Sequence, residues 1–231
     1  VKYTEKFTER LLEELNSETV FTIPVFNGIS ISESVVVTWI IMVMLILISI
    51  LIVKNLNIQN ISKRQIILEE VINRINEFLY GILGDAGKQY IPYLVIILFY
   101  LVFANTIGIL GFKPPTKDLN VTAALSLMSI ILVEYAGIRK KGGKKWIKSF
   151  TNPIAIITPF NILEIFIRPL SLCMRLFGNI LGSFVVMELI KILIPVVIPV
   201  PFSLFFDIFD GVIQAYVFVF LTSLFIKEAI E

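Results

Sequence analysis

From Val35 to Val53 the chain runs without one charged residue. About 19 residues of helix cover the ~30 Å hydrocarbon core of a bilayer. In lipid every backbone N–H and C=O must find a partner inside the protein, which leaves helices and closed barrels as the spanning structures. Apolar stretches of similar character recur at Tyr93–Phe112, Leu119–Ile138, Phe160–Ile194 and Phe202–Ile226. Apolar residues make up 57% of the chain, charged residues 16%, and the mean hydropathy is +0.88. The pattern predicts an all-α membrane protein with five membrane-embedded helices.

The connecting segments set the topology. Residues 1–34 are polar and acid-leaning, and Tyr3, Phe7, Leu11 and Leu15 recur at helical spacing, which predicts a short external amphipathic helix. Residues 63–83 place Ile67, Val71, Ile75, Phe78 and Ile82 on one face, opposite Arg64, Glu69, Glu70, Asn73 and Glu77. That periodicity predicts an interfacial helix, or one packed on a partner, rather than a span. Lys113-Pro-Pro-Thr-Lys-Asp118 is a tight turn, because two prolines cannot continue a helix. Arg139 to Lys148 holds six basic residues and no acid, so the loop at 139–150 is cytoplasmic by the positive-inside rule. Counting from it, the amino terminus is external, the turn at Pro195–Pro201 is external and the carboxyl end is cytoplasmic. Glu134, near the Arg139 end of its helix, either snorkels to the interface or pairs. The 35–231 stretch is read as a single membrane domain. No signal-peptide pattern opens the chain, and a start at Val1 is read as a trimmed one.

Several chemistries are excluded. One cysteine, Cys173, forbids an internal disulfide, and with no histidine a zinc site is not expected. The net charge of +2 follows membrane topology and does not point to nucleic acid. The residues offer no nucleophile, metal cluster or phosphate loop, so no catalytic residue, metal or cofactor is assigned.

The polar residues that remain are concentrated in the last third. In the Phe160–Ile194 helix, Glu164, Arg168, Ser171, Arg175, Asn179 and Gly182 fall within roughly 40° of one meridian. An arginine at mid-bilayer costs about 2.5–3.5 kcal/mol on insertion scales, so Arg175 must face protein or water. Arg168, nearer the inner interface, either snorkels or pairs with Glu164, or else lines a polar path. The helix is about 52 Å long, far beyond a simple span, and must break at Pro169 or tilt; tilt is favoured. In the last helix Ser203, Asp207, Asp210 and Gln214 share a meridian. Glu188, Asp207 and Asp210 then describe an acidic outer vestibule leading to Asn179 and Arg175. The blander reading places Asp207 and Asp210 at the outer interface beside the proline turn.

Arg175-Leu-Phe-Gly-Asn179, preceded by Arg168-Pro-Leu-Ser-Leu172, resembles the signature of subunit a of F-type ATP synthases. Gln214 and Asn120-Val-Thr122 match the same family. The resemblance covers about residues 35–228 and implies a non-catalytic stator subunit of the cell membrane. Its partners would be a rotating c-ring and the peripheral-stalk b subunits, within a hetero-oligomeric complex. It implies that the last two helices lie tilted along the ring, with Arg175 as the essential arginine and Gln214 close to it. Two positions depart from the family: Phe184 and Asp207 stand where Glu or His is common, so Asp207, Asp210 and Glu188 become the candidates for the outer acids. Counting from the helix ends leaves Gln214 and Arg175 offset by about 10 Å in depth. Two rivals are weighed against this reading. An ion-coupled secondary transporter would show a matching polar element in its first half. A structural scaffold has no reason to keep Arg175.

Overall fold

The computed structural model describes residues 19–23, 29–54, 56, 62–110, 112–149, 158–193 and 199–231. Five helical stretches among them are long and apolar enough to cross a membrane, and the protein is an all-α multi-pass membrane protein. The helix expected at Tyr3–Leu15 lies outside the described residues. A feature the sequence reading lacked is a small antiparallel hairpin, β1 (Thr19–Ile23) and β2 (Ile29–Ser32), in register Phe21 to Ile31 and Thr22 to Ser30. Its β-branched Thr-Val-Phe-Thr-Ile strand was the available signal.

β2 leads directly into α1 (Glu33–Val53), apolar all round and mostly exposed, as befits a helix bathed in lipid. Its Val37 and Ile41 are buried against Ala104 and Ile107. The hydroxyls of Thr38 and Tyr100 also meet at 3.3 Å.

The next two elements differ from expectation. α2 (Lys63–Gly87) is capped by Ser62, whose hydroxyl accepts from the Gln65 N–H at 3.3 Å. It bends at Gly84, where φ is +62°, a left-handed conformation that an L side chain adopts at a cost. One 3₁₀ turn (Lys88–Tyr90) then joins it to α3 (Ile91–Thr106), so the amphipathic helix and the following span form one bent path. The face α2 buries is also rotated by about 100° from the predicted one. Ile67 and Val71 are 66% and 46% exposed, whereas Leu79 and Leu83 are buried. Hydropathy cannot separate the side of a helix that meets lipid from the side that meets protein.

α4 (Leu119–Lys141) starts at Asp118, whose Oδ1 accepts from the Asn120 N–H at 2.9 Å, and stops at Gly142 with φ +81°. After the short α5 (Gly143–Ser149) comes α6 (Thr158–Leu193), 36 residues that continue through Pro169 without a break. The proline turn near 195–201 is helical at its far end, where α7 (Pro199–Leu204) begins; residues 194–198 lie outside the described ones. A π-helical stretch (Phe205–Asp210) passes the chain into α8 (Gly211–Ile230).

α3, α4 and α8 form the centre, with α6 packed on α4 and α2 on α8. Leu94, Leu101, Val133, Leu172, Phe218 and Ile226 fill it. Between them sit Ala104, Ser126, Ser129, Ala136, Ala215, Thr222 and Ser223, all buried. Small side chains let membrane helices approach closely where no hydrophobic drive separates protein from lipid. Phe78 stacks against Tyr216 and Phe220, with centroids at 5.4 and 6.3 Å, which fixes α2 on α8.

Candidate functional site

α6 has two unlike sides. Leu172, Cys173, Leu176 and Ile180 are buried, and Cys173 Sγ lies 3.5 Å from Thr122 Oγ1 of α4. The opposite side exposes Ser171, Arg175, Gly178, Asn179 and Gly182 next to Leu163, Ile167, Leu170 and Met174. Arg175 has no ion pair or hydrogen bond to any of the described residues. A Cβ built on Gly178 or Gly182 would meet nothing within 4 Å. The polar meridian read from the sequence therefore faces outward, on the uncovered half of the helix.

In the carboxyl-terminal half of α6, Asp210 joins α6 to α8. Its Oδ2 accepts from Ser183 Oγ at 3.2 Å and its Oδ1 from Gln214 Nε2 at 3.3 Å. Behind it Asn105 Nδ2 donates to the Gly211 carbonyl at 3.0 Å, while Thr116 Oγ1 donates to Asn105 Oδ1 at 2.9 Å. Gly211 allows this close approach, since a Cβ there would meet Asn105 Cβ at 3.0 Å. The π-helical stretch ends at Asp210, at the point where α8 meets these polar groups. Such departures from α-geometry concentrate at functional positions. Phe184, one of the departures from the family pattern, takes the Lys117 ammonium over its ring at 3.5 Å.

In the amino-terminal half of α6, Arg168 pairs within its own helix and across to α8. Its Nη2 lies 2.9 Å from Glu164 Oε1 and 2.7 Å from Glu228 Oε1, and its guanidinium sits 5.0 Å from the Phe225 ring. These groups border a cleft of about 210 Å³ that Glu134 and Trp146 also line. Glu134 is paired: its carboxylate accepts from the Trp146 indole N–H at 3.1 Å.

The two cross-helix contacts fix the register of α6 and α8. From Arg168 to Ser183 α6 rises about 22 Å, and from Glu228 back to Asp210 α8 rises about 27 Å. Interpolation sets Gln214 level with Asn179, about 7 Å along α6 from Arg175 toward Ser183, a smaller offset than counting from the helix ends had left.

Of the residues singled out from sequence, Glu164 and Arg168 are brought together near the start of α6, and Asp210 and Gln214 near the start of α8. Ser171, Arg175 and Asn179 stand between them on the exposed face. The side chains of Glu188, Asp207 and Ser203 lie outside the described ones. The sequence reading missed Ser183, which sits about 100° from the polar meridian on the side turned to α8. Glu228 was missed with it, because the helix was ended too early.

The ATP synthase A chain family model matches residues 35–227. The ATP synthase subunit a of Moorella thermoacetica is 36% identical over 208 residues, covering 88% of this chain and 93% of that protein. Its counterpart in Legionella pneumophila strain Paris is 30% identical over 205 residues, covering 88% and 89%. The "ATP synthase subunit a 2" of a Bradyrhizobium strain is 32% identical over 204 residues. The matched stretch begins at α1 and closes in the last turn of α8, so the whole helical body takes part, and this chain belongs to the ATP synthase A chain family.

Proposed function

We propose that this chain is the stator subunit a of an F-type ATP synthase in the cell membrane, moving protons or sodium ions to and from the carboxylates of a rotating c-ring. The observation that carries this reading is Arg175: exposed, without a partner among the described residues, and set between two polar clusters on one helix. It lies about 10 Å along α6 from Arg168 and about 12 Å from Ser183.

The mechanism follows from electrostatics. A ring carboxylate in lipid is tolerable when neutral, through a proton or bound cation, and unfavourable when bare. Opposite Arg175 it can be bare, because guanidinium stays charged throughout the accessible pH range and presents a planar fork that fits a carboxylate. The outer cluster of Asp210, Ser183, Gln214 and Asn179, with Glu188 and Asp207, would hydrate one access path. The inner cleft of Glu164, Arg168 and Glu228, with Ser171, would hydrate the other. Arg175 between them repels cations and keeps the two paths from joining. Gly178 and Gly182 leave room for a ring helix to approach α6 closely, and the neighbouring Leu163, Ile167, Leu170 and Met174 offer it an apolar face. A membrane potential supplies about 2.3 kcal/mol per charge per 100 mV, and rotation passes this to ATP formation elsewhere in the complex. The amino terminus would be external and the carboxyl end cytoplasmic, with b subunits and lipid around the remaining surface.

The test is ATP synthesis by the reconstituted complex carrying Arg175→Ala. Loss of coupled synthesis with an intact assembled complex is expected. Synthesis at the parental rate would rule the reading out. Repeating the parental measurement with and without sodium, in the presence of a protonophore, identifies the ion.

A further inference from the structure

A second polar cleft, of about 610 Å³, opens where the bend after α2 meets the inner ends of α4 and α8. Asp85, Lys88, Gln89, Tyr90, Arg139 and Lys140 line it. It shares no residue with either polar cluster of α6 and α8. We propose that this cleft binds the phosphate group of an anionic phospholipid at the cytoplasmic leaflet.

Charge is the first support. Arg139 and Lys140 occupy the last turn of α4, where the helix dipole alone favours cations. Lys88, at the carboxyl end of α2, adds a third cation from another wall of the cleft. The one acid, Asp85, already accepts a hydrogen bond from the Tyr80 hydroxyl. Three cations against one acid leave the cleft positive, at the membrane end where basic pockets between helices take lipid headgroups.

An unsatisfied donor is the second support. Tyr90 lines the cleft and is only 5% exposed, and its hydroxyl is buried without a hydrogen-bond partner among the described residues. Buried hydroxyls are normally paired, so the group calls for an acceptor. A phosphate oxygen in the cleft supplies one after a small turn of the ring toward it, and the cations balance its charge.

A lipid fits better than free phosphate because an apolar track leaves the cleft. On α4, Tyr135 and Ile131 lie one and two turns back from Arg139, and they are 52% and 67% exposed. An acyl chain can lie along them while the headgroup occupies the cleft.

The experiment uses the full chain in nanodiscs of phosphatidylcholine with a minor share of phosphatidylglycerol, and native mass spectrometry of the lipid that stays bound on release. Preferential retention of phosphatidylglycerol is expected. Lys88→Gln and Arg139→Gln should each weaken it about five-fold, Lys88→Arg should keep it, and Tyr90→Phe, which removes one oxygen without disturbing packing, should reduce it. Lys144→Gln with Lys145→Gln, outside the cleft, should leave retention within about two-fold of the parent, the size of a bulk-charge effect. Equal loss in that loop variant, no preference for the anionic lipid, or unchanged retention in Tyr90→Phe would each overturn the site as described. So would a thermal shift with inorganic phosphate in pure phosphatidylcholine discs that phosphatidylglycerol fails to produce, since the cleft would then take free phosphate.

Discussion

Arg168 and Glu228 meet at 2.7 Å between the start of α6 and the end of α8, and Glu164 shares the same guanidinium. The arginine side chain is 12% exposed and the Glu228 side chain 60% exposed, so the pair sits half in water. Solvent screening holds the worth of such a bridge to about 0–1 kcal/mol. A double-mutant cycle of Arg168→Ala and Glu228→Ala, read by unfolding of the purified chain, should give a coupling energy inside that range. Arg168→Ala alone should cost more than Glu228→Ala, because it also loses Glu164 and the packing on Phe225.

Gly211 and Gly182 should respond oppositely to alanine. At Gly211 the new Cβ meets Asn105 Cβ at 3.0 Å, and separating α3 from α8 should cost about 1–3 kcal/mol. At Gly182 nothing lies within 4 Å, so the isolated chain should unfold as before. If a ring helix packs on that face, Gly182→Ala should nonetheless slow ATP-driven ion pumping in the assembled complex. Thermal unfolding of the chain and pumping by the complex separate the two effects.

Asn105 is a connector whose loss should be felt at both of its partners. Asn105→Ala leaves the Thr116 hydroxyl and a Gly211 carbonyl lone pair without their present bonds in a buried place. A cost of about 1–3 kcal/mol follows from the unmade hydrogen bonds, measurable as a lowered unfolding midpoint. Thr116→Val should cost less, since it leaves Asn105 its bond to Gly211.

Arg175→Ala should leave the stability of the chain almost untouched, within about 0.5 kcal/mol, because the side chain is exposed and makes no described contact. Unfolding of the purified variant checks this directly. A large destabilisation would mean that the guanidinium holds this chain together rather than facing another one.

Asp210→Asn tests the outer cluster. An amide in place of the carboxylate can still accept from Ser183 or Gln214, so assembly should be retained. Ion uptake from the outer side should slow, seen as a reduced rate of ATP synthesis at equal driving force. An unchanged rate would remove Asp210 from the access path.

Run length and hydropathy alone determined that the chain is helical and membrane-embedded, because an uncharged run such as Val35–Val53 is satisfied in lipid as a helix. Periodicity determined that Ser171, Arg175 and Asn179 share a side of α6, since a straight helix obeys one angular repeat. What those side chains meet was decided only by tertiary structure. Ser183 and Glu228 lie far in sequence from Asp210 and Arg168, and no local pattern encodes a contact between helices. α2 shows the same limit, for lipid and protein are equally apolar and only packing chose Leu79 and Leu83 over Ile67 and Val71. The π-helical stretch at Phe205–Asp210 is a further case: angular arithmetic at 100° per residue fails across it, and contact with Asn105 and Ser183 sets where α8 resumes. Local sequence fixes which face of a helix is polar; the fit of distant helices decides which polar groups are paired and which, like Arg175, are left facing outward.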